Sequence, residues 1–197
     1  MTTRTEYDPS QYPAFAVTVD VVILTMSEGR LHVLLVRRGE DPYRGMWAIP
    51  GGFKRPNETL DAAARRELVE ETSVDAASLL TQFGAYGDPG RDPRMNVVTV
   101  AYVAVLRDVG AIVAGTDAAE ARLVPMADVL EGRPELAFDH TQIARDAIER
   151  VLEPGVGEGT GLGLANVNRL LTAHYGEGVR LRSFRFGTVV RLEVPAA

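Results

Sequence analysis

Apolar and polar positions divide the chain into short runs of distinct period. Ala14 to Thr25 is rich in Val and Ile, and Leu31 to Arg37 repeats that character; both read as strands. Ser27-Glu28-Gly29-Arg30 between them is a tight-turn signal, so the two form a hairpin. Asp41 to Gly52 reads as a loop, because Pro42, Gly45, Pro50, Gly51 and Gly52 interrupt it. Thr59 to Thr72 is dense in helix formers, with Thr59 as N-cap and Asp61 favourably placed in the first turn. Leu79 to Tyr86 and Val97 to Leu106 read as strands, joined by the turn-rich, charged loop Gly87 to Arg94. A short strand at Ala121 to Pro125, a short helix at Met126 to Leu130 and a long helix at Asp139 to Leu152 follow. In the last, Ile143, Ala144, Ala147, Ile148 and Val151 recur at helical spacing.

Pro154 and Gly155 end that helix and mark a boundary. Glycines alternate from Gly155 to Gly163, after which Leu164 to His174 reads as a helix and Val179 to Val194 as two strands. The expected organisation is one α/β domain over residues 12–153 and a short Gly-rich α+β extension over 154–197.

Composition narrows the function. The 197 residues are 46% hydrophobic and 24% charged, as in an ordinary soluble domain with a sizeable core. Cysteine is absent, which excludes disulfides and thiolate metal sites and fits a reducing cytoplasm. The formal net charge of -6 argues against a broad nucleic-acid-binding face. The first residues lack a signal-peptide pattern, and the apolar run from Ala14 to Leu24 is too short for a membrane span. A cytoplasmic protein with no membrane partner is expected.

The chemistry concentrates between Gly52 and Val74. Glu67, Glu70 and Glu71 stand at i, i+3 and i+4, so a helix projects all three carboxylates from one face. Like charges at that spacing repel, and a helix C-terminus disfavours negative charge. A hard divalent cation removes both penalties, and Mg²⁺ accepts carboxylate oxygens together with water and phosphate. Such a site suits diphosphate chemistry. Arg66 beside Glu67 is placed to hold a carboxylate by charge-assisted hydrogen bonds. Gly51 and Gly52 let the loop turn tightly before the helix. An isolated Glu pair is usually a solvated helix face. The full set of six specified residues and two aliphatic positions recurs by chance on the order of once in 10⁸ starts at average residue usage, which favours a functional face.

Gly52, Glu58, Arg66-Glu67-Leu68, Glu70-Glu71 and Val74 resemble the signature box of the Nudix hydrolases, G-x5-E-x7-R-E-U-x-E-E-x-G-U with U aliphatic. Ser73 stands where the family has Gly. That Gly is expected to cap the helix in the left-handed region, so Ser73 should cost about 1 kcal/mol of stability and leave the chemistry intact. The resemblance covers roughly residues 12–152. It implies an α/β/α sandwich with a mixed sheet and a Mg²⁺ cofactor, with Mn²⁺ as a substitute. Glu67, Glu70 and Glu71 are then the metal ligands, Arg66 orients the catalytic carboxylate, and Glu67 or Glu70 is the base.

Val36 to Gly39, Trp47 to Phe53 and Gly87 to Arg94 look like the ADP-ribose pyrophosphatase branch, and equally like Nudix-related repressors of NAD biosynthesis. The implied reaction converts ADP-ribose and water to AMP and ribose 5-phosphate, the alternatives being hydrolysis of another nucleotide or a non-catalytic ADP-ribose-sensing regulator of NAD metabolism. Candidate substrate contacts are Arg37, Gly52, Phe53, Asp88, Arg91 and Arg94, with Phe53 or Tyr86 to stack on a base. Asp117 or Glu120, expected in a loop, is a weaker candidate for a late ligand or base. A homodimer on a nucleotide-sugar substrate is expected. The winged helix of the repressors is not legible here, and nucleic acid is not an expected partner. Gly159 to Val167, His174 to Gly178 and Gly187 to Val190 instead resemble the last part of a histidine-kinase-type ATPase domain. The earlier motifs of that family are missing, so a packing remnant is the expectation.

Overall fold

The structure is a computed structural model that describes residues 8–76, 78–115, 118–152, 180–182 and 191–193. A short 3₁₀ turn at Pro9–Gln11 precedes β1 (Ala16–Ser27) and β2 (Arg30–Arg38). Their connection is the two-residue turn Glu28-Gly29, with φ of 50° and 71°. Positive φ at both positions gives the turn a twist that matches the flanking strands. Next come β3 (Trp47–Ala48), β4 (Gly51–Phe53), α1 (Leu60–Thr72), β5 (Thr81–Tyr86), β6 (Val97–Leu106) and β7 (Ala118–Pro125). Helices α2 (Met126–Leu130) and α3 (His140–Leu152) close the domain.

Seven strands form one mixed sheet. β1 runs parallel to β6 from Ala16↔Val97 to Thr25↔Leu106, while its other pairings are antiparallel. The alternation along β1 sorts side chains between two layers. Val19, Val21 and Ile23 pack with Ala63, Ala64 and Leu68 of α1. Val22 and Leu24 pack with Ile143, Ala147 and Ile148 of α3. The result is the expected α/β/α sandwich.

On its second edge β1 has two partners. Its end pairs with β2 from Leu24↔Val33 to Ser27↔Arg30, but its start pairs with β4 at Thr18↔Phe53, Val19↔Gly52 and Asp20↔Gly51. β2 meanwhile takes β7 along its other edge and β3 at Val36↔Ala48 and Arg37↔Trp47. The first hairpin therefore splays into a wedge that the β3–β4 segment fills. This corrects the loop expected over 41–52: β3 lies within it and β4 begins there and ends at Phe53. Their proline and glycine content hides them, and unsatisfied ladder groups on β1 and β2 recruit them. A second correction concerns Glu120, expected in a loop. It lies in β7 opposite Arg37, because that strand starts at Ala118 rather than Ala121.

Helix α1 starts as its sequence requires: Thr59 accepts the Ala62 N–H on its hydroxyl at 3.1 Å. It ends on Ser73 in the left-handed region, φ 62° and ψ 10°, whose N–H donates to Val69. Segment 111–115 then covers the open carbonyls, with the N–H groups of Val113 and Gly115 donating to Thr72 and Glu71 at 3.1 Å each. Among the described residues no helix is long and apolar enough to cross a membrane. Beyond residue 152 only Arg180–Arg182 and Arg191–Glu193 are described, as two antiparallel strands. The rest of the Gly-rich extension, with the helix expected over 164–174, lies outside the described residues, as does Asp117.

Ser73→Gly should stabilise the domain by about 1 kcal/mol, since glycine lacks the Cβ penalty of the left-handed region. Urea denaturation followed by circular dichroism measures the change; an unaltered or lowered midpoint would show that this backbone carries no strain.

Candidate active site

The wedge between β1 and β2 opens into a cleft of about 520 Å³, within the size range of small-molecule sites. Its acidic wall is α1, which contributes Arg66, Glu67, Glu70 and Glu71. The i, i+3, i+4 spacing places the carboxylates there.

Arg66 organises that wall and is itself largely buried, with 15% of its side chain exposed. Its Nε and Nη2 donate to the two Glu58 oxygens at 3.0 and 2.6 Å. Nη1 donates to Glu67 at 2.6 Å and Glu70 at 3.1 Å, and Nη2 also reaches the Phe53 carbonyl at 3.1 Å. Hydrogen bonding to Arg66 and to the Arg55 N–H holds Glu58 down at about 2. Burial acts oppositely on Glu67 and raises its pKa despite Arg66.

Glu71 sits deeper. Burial pushes its pKa up to about 8, and the like charges of Glu67 and Asp20 add to the effect, against a bond from the Gly51 N–H and the charge of Arg38. That bond measures 2.9 Å. A buried carboxylate among other carboxylates calls for positive charge, and these are hard oxygen donors on one face. The set fits a hard divalent cation. In the present arrangement no three acidic or histidine side chains among the described residues converge as ligands.

The two glycines of the turn are required by close approach. A Cβ on Gly52 would lie 2.6 Å from the Glu67 carboxylate, and one on Gly51 would lie 2.2 Å from the Val19 carbonyl. No side chain fits at either position without moving β1 or a carboxylate.

The opposite wall is cationic and aromatic. Arg37, Arg38, Phe53, Arg94 and Phe138 line it. The Arg94 guanidinium lies 4.9 Å from the Phe53 ring centre and 5.8 Å from that of Phe138. Buried Asp92 fixes it with bonds of 3.0 and 2.7 Å. Arg38 stands 4.9 Å from the Phe138 ring, and burial and the charge of Arg94 both lower its pKa.

The sequence-derived candidates thus fall unevenly. Arg37, Gly52, Phe53, Arg66, Glu67, Glu70, Glu71 and Arg94 all line the cleft. Arg91 lies at its floor, but its guanidinium is 5% exposed and committed to Asp139 through bonds of 2.8 and 2.6 Å. Asp88 is exposed and its carbonyl accepts the Arg91 N–H; it does not line the cleft. Tyr86 is also away from it, donating its hydroxyl to Asp146 at 2.9 Å. Sequence reasoning missed Asp20, Arg38, Asp92, Phe138 and His140. Arg38 and Asp92 carried a signal, lying within the motif segments 36–39 and 87–94, as did Asp20, a lone acid within an apolar strand.

A family model described as the NUDIX domain matches residues 14–149. The chain belongs to the Nudix family. Among its Nudix relatives, an ADP-ribose pyrophosphatase of Methanocaldococcus jannaschii is 37% identical over 131 residues, 66% of this chain and 72% of that protein. An ADPR-responsive transcriptional repressor of Acinetobacter baylyi is 33% identical over 148 residues, 74% of this chain. This Nudix chain spans 58% of the length of that repressor. The solved Nudix domain of Shewanella oneidensis NrtR, complexed with ADP ribose, superposes with a TM-score of 0.68 at 35% identity. That match covers 77% of this chain and 100% of the other. The segments 159–167, 174–178 and 187–190, for which a resemblance to part of an ATPase domain was expected, lie outside the described residues.

Two outcomes test this geometry. Gly52→Ala should cost about 1–3 kcal/mol, the usual range for overpacking, read as a shift of the urea midpoint; wild-type stability would show that Glu67 moves aside freely. Glu58 gains a partner, so its folded pKa lies below the ordinary 4.5. Its stabilisation is present above that value and is lost as pH falls toward 2. In Arg66→Gln the Glu58 carboxyl titration, followed by NMR, should return toward 4.5; an unmoved titration would contradict the assigned pair.

Proposed function

We propose that the chain hydrolyses a nucleoside diphosphate linked to a second moiety, with ADP-ribose as the substrate and AMP and ribose 5-phosphate as products. The observation that carries the reading is the complete carboxylate face of Glu67, Glu70 and Glu71, organised by Arg66 and Glu58 within the cleft. A face of mutually repelling acids, with Glu67 and Glu71 withdrawn from solvent, suits a cation-dependent hydrolase. The M. jannaschii relative supports the substrate class.

Glu67, Glu70 and Glu71 would hold the Mg²⁺ ion or ions, for which Mn²⁺ can substitute. When bound, the cation supplies Lewis acidity and neutralises charge on the diphosphate. The residues of the chain do the rest. Arg37, Arg94 and Phe53 bind the nucleotide-sugar from the cationic wall. Arg66 keeps Glu67 and Glu70 in place. Glu67 or Glu70 takes a proton from the attacking water; burial raises the proton affinity of Glu67. The new P–O bond forms as the bridging P–O bond breaks, and the bridging oxygen leaves with the other phosphate.

A second reading has its own support. The A. baylyi relative is a repressor responsive to ADPR, and the S. oneidensis domain binds ADP ribose. In that reading the same cleft senses the ligand and regulates transcription.

AMP release from ADP-ribose separates the two. With Mg²⁺, wild type should turn over, and Glu70→Gln and Glu71→Gln should each lose about 100-fold or more in kcat. Binding of ADP-ribose by calorimetry without turnover in the wild type would establish the sensor instead.

A further inference from the structure

The floor of the cleft carries a buried group that the proposed reaction does not use. His140 opens α3 and is 5% exposed. Its Nδ1 accepts the Ile49 N–H at 2.9 Å. An imidazole nitrogen that accepts carries no hydrogen, so the ring proton resides on Nε2. Nε2 faces Asp20 Oδ1 at 3.5 Å. Asp20 is 5% exposed, and its other oxygen lies 3.6 Å from Arg91. Burial lowers the proton affinity of His140, in keeping with a neutral ring.

Ile49 occupies the wedge between β3 and β4 and is 2% exposed. No strand ladder reaches its N–H, which without His140 is a buried donor lacking a partner. The residues that follow it set the acidic wall. Pro50 accepts the Val21 N–H at 2.8 Å, Gly51 donates to Glu71, and Gly52 leaves the space that Glu67 fills.

We propose that His140 is a positioning residue: oriented by Asp20, it fixes the Ile49–Gly52 turn by one hydrogen bond and thereby sets Glu67 and Glu71. The inference rests on reading those glutamates as the metal-holding face. It links α3, on one side of the sheet, to carboxylates carried by α1 on the other. A ring present only to fill space beside Phe138, 5.2 Å away, would not need its nitrogens.

The full chain provides the test. In the wild type at neutral pH, ¹⁵N NMR should show His140 as the neutral Nε2–H tautomer, with a slowly exchanging Ile49 amide. An Nδ1–H or doubly protonated ring, or a rapidly exchanging amide, overturns the proposal without any variant. His140→Asn keeps an acceptor oxygen where Nδ1 stands, whereas His140→Phe keeps the ring shape and removes the acceptor. Mn²⁺ affinity, read from free Mn²⁺ by EPR, should fall about 10- to 100-fold in the Phe variant, the usual consequence of losing a group that orients a ligand. The Asn variant should recover most of that loss. For AMP release, kcat should follow Mn²⁺ affinity while KM for ADP-ribose stays near wild type. Wild-type Mn²⁺ affinity in the Phe variant, or equal loss in both variants, overturns the role. If the Phe variant does not fold, the wild-type tautomer and the Asn variant decide. The stated Mn²⁺ pattern without AMP release in the wild type would sink the hydrolase reading and leave the positioning role standing.

Discussion

β1 cannot keep β2 as its neighbour along its whole length. The two share an edge only from Leu24↔Val33 to the turn, after which β2 departs with β7 and β3. The start of β1 would be left with open backbone groups in the interior, and buried N–H and C=O groups must find partners. Pro50, Gly51 and Gly52 supply them by folding into the wedge. Everything in the cleft follows from that insertion. The glycines bring backbone within reach of α1, the Gly51 N–H meets Glu71, and the cleft opens where the strands part.

The site is built from two walls of opposite charge. On the acidic side, Arg66 satisfies Glu58, Glu67 and Glu70 simultaneously, while Glu71 is left with one backbone donor and a raised pKa. On the other side Arg38 and Arg94 repel one another beside Phe138. The strain lies at Glu71 on the acidic wall, whereas Arg94 on the cationic wall is paired with Asp92. In the proposed reaction a cation would relieve that strain, and the nucleotide-sugar would meet the cationic wall. Beneath both walls, Asp20, Arg91, Asp139 and His140 join the loop after β5 to the start of α3. Arg91 lines the floor of the cleft with its guanidinium paired to Asp139.

What the sequence by itself determined is whatever depends on local spacing. The period-2 and helical runs located the long elements within a few residues. Thr59 marked the helix start, and the i, i+3, i+4 glutamates required a single face. The departure at Ser73 identified a left-handed cap, and the backbone there is left-handed. Each of these needs only the geometry of one helix or strand. Tertiary structure alone decided the rest. β3 and β4 are too short and too rich in proline and glycine to show a period, and they exist because β1 and β2 have edges to fill. Nothing near Arg91 in sequence distinguishes it from Arg94; burial against Asp139, 48 positions away, separates them. His140 meets Ile49 across 91 positions, and no local pattern encodes a hydrogen bond whose partners are brought together only when the sheet and α3 pack.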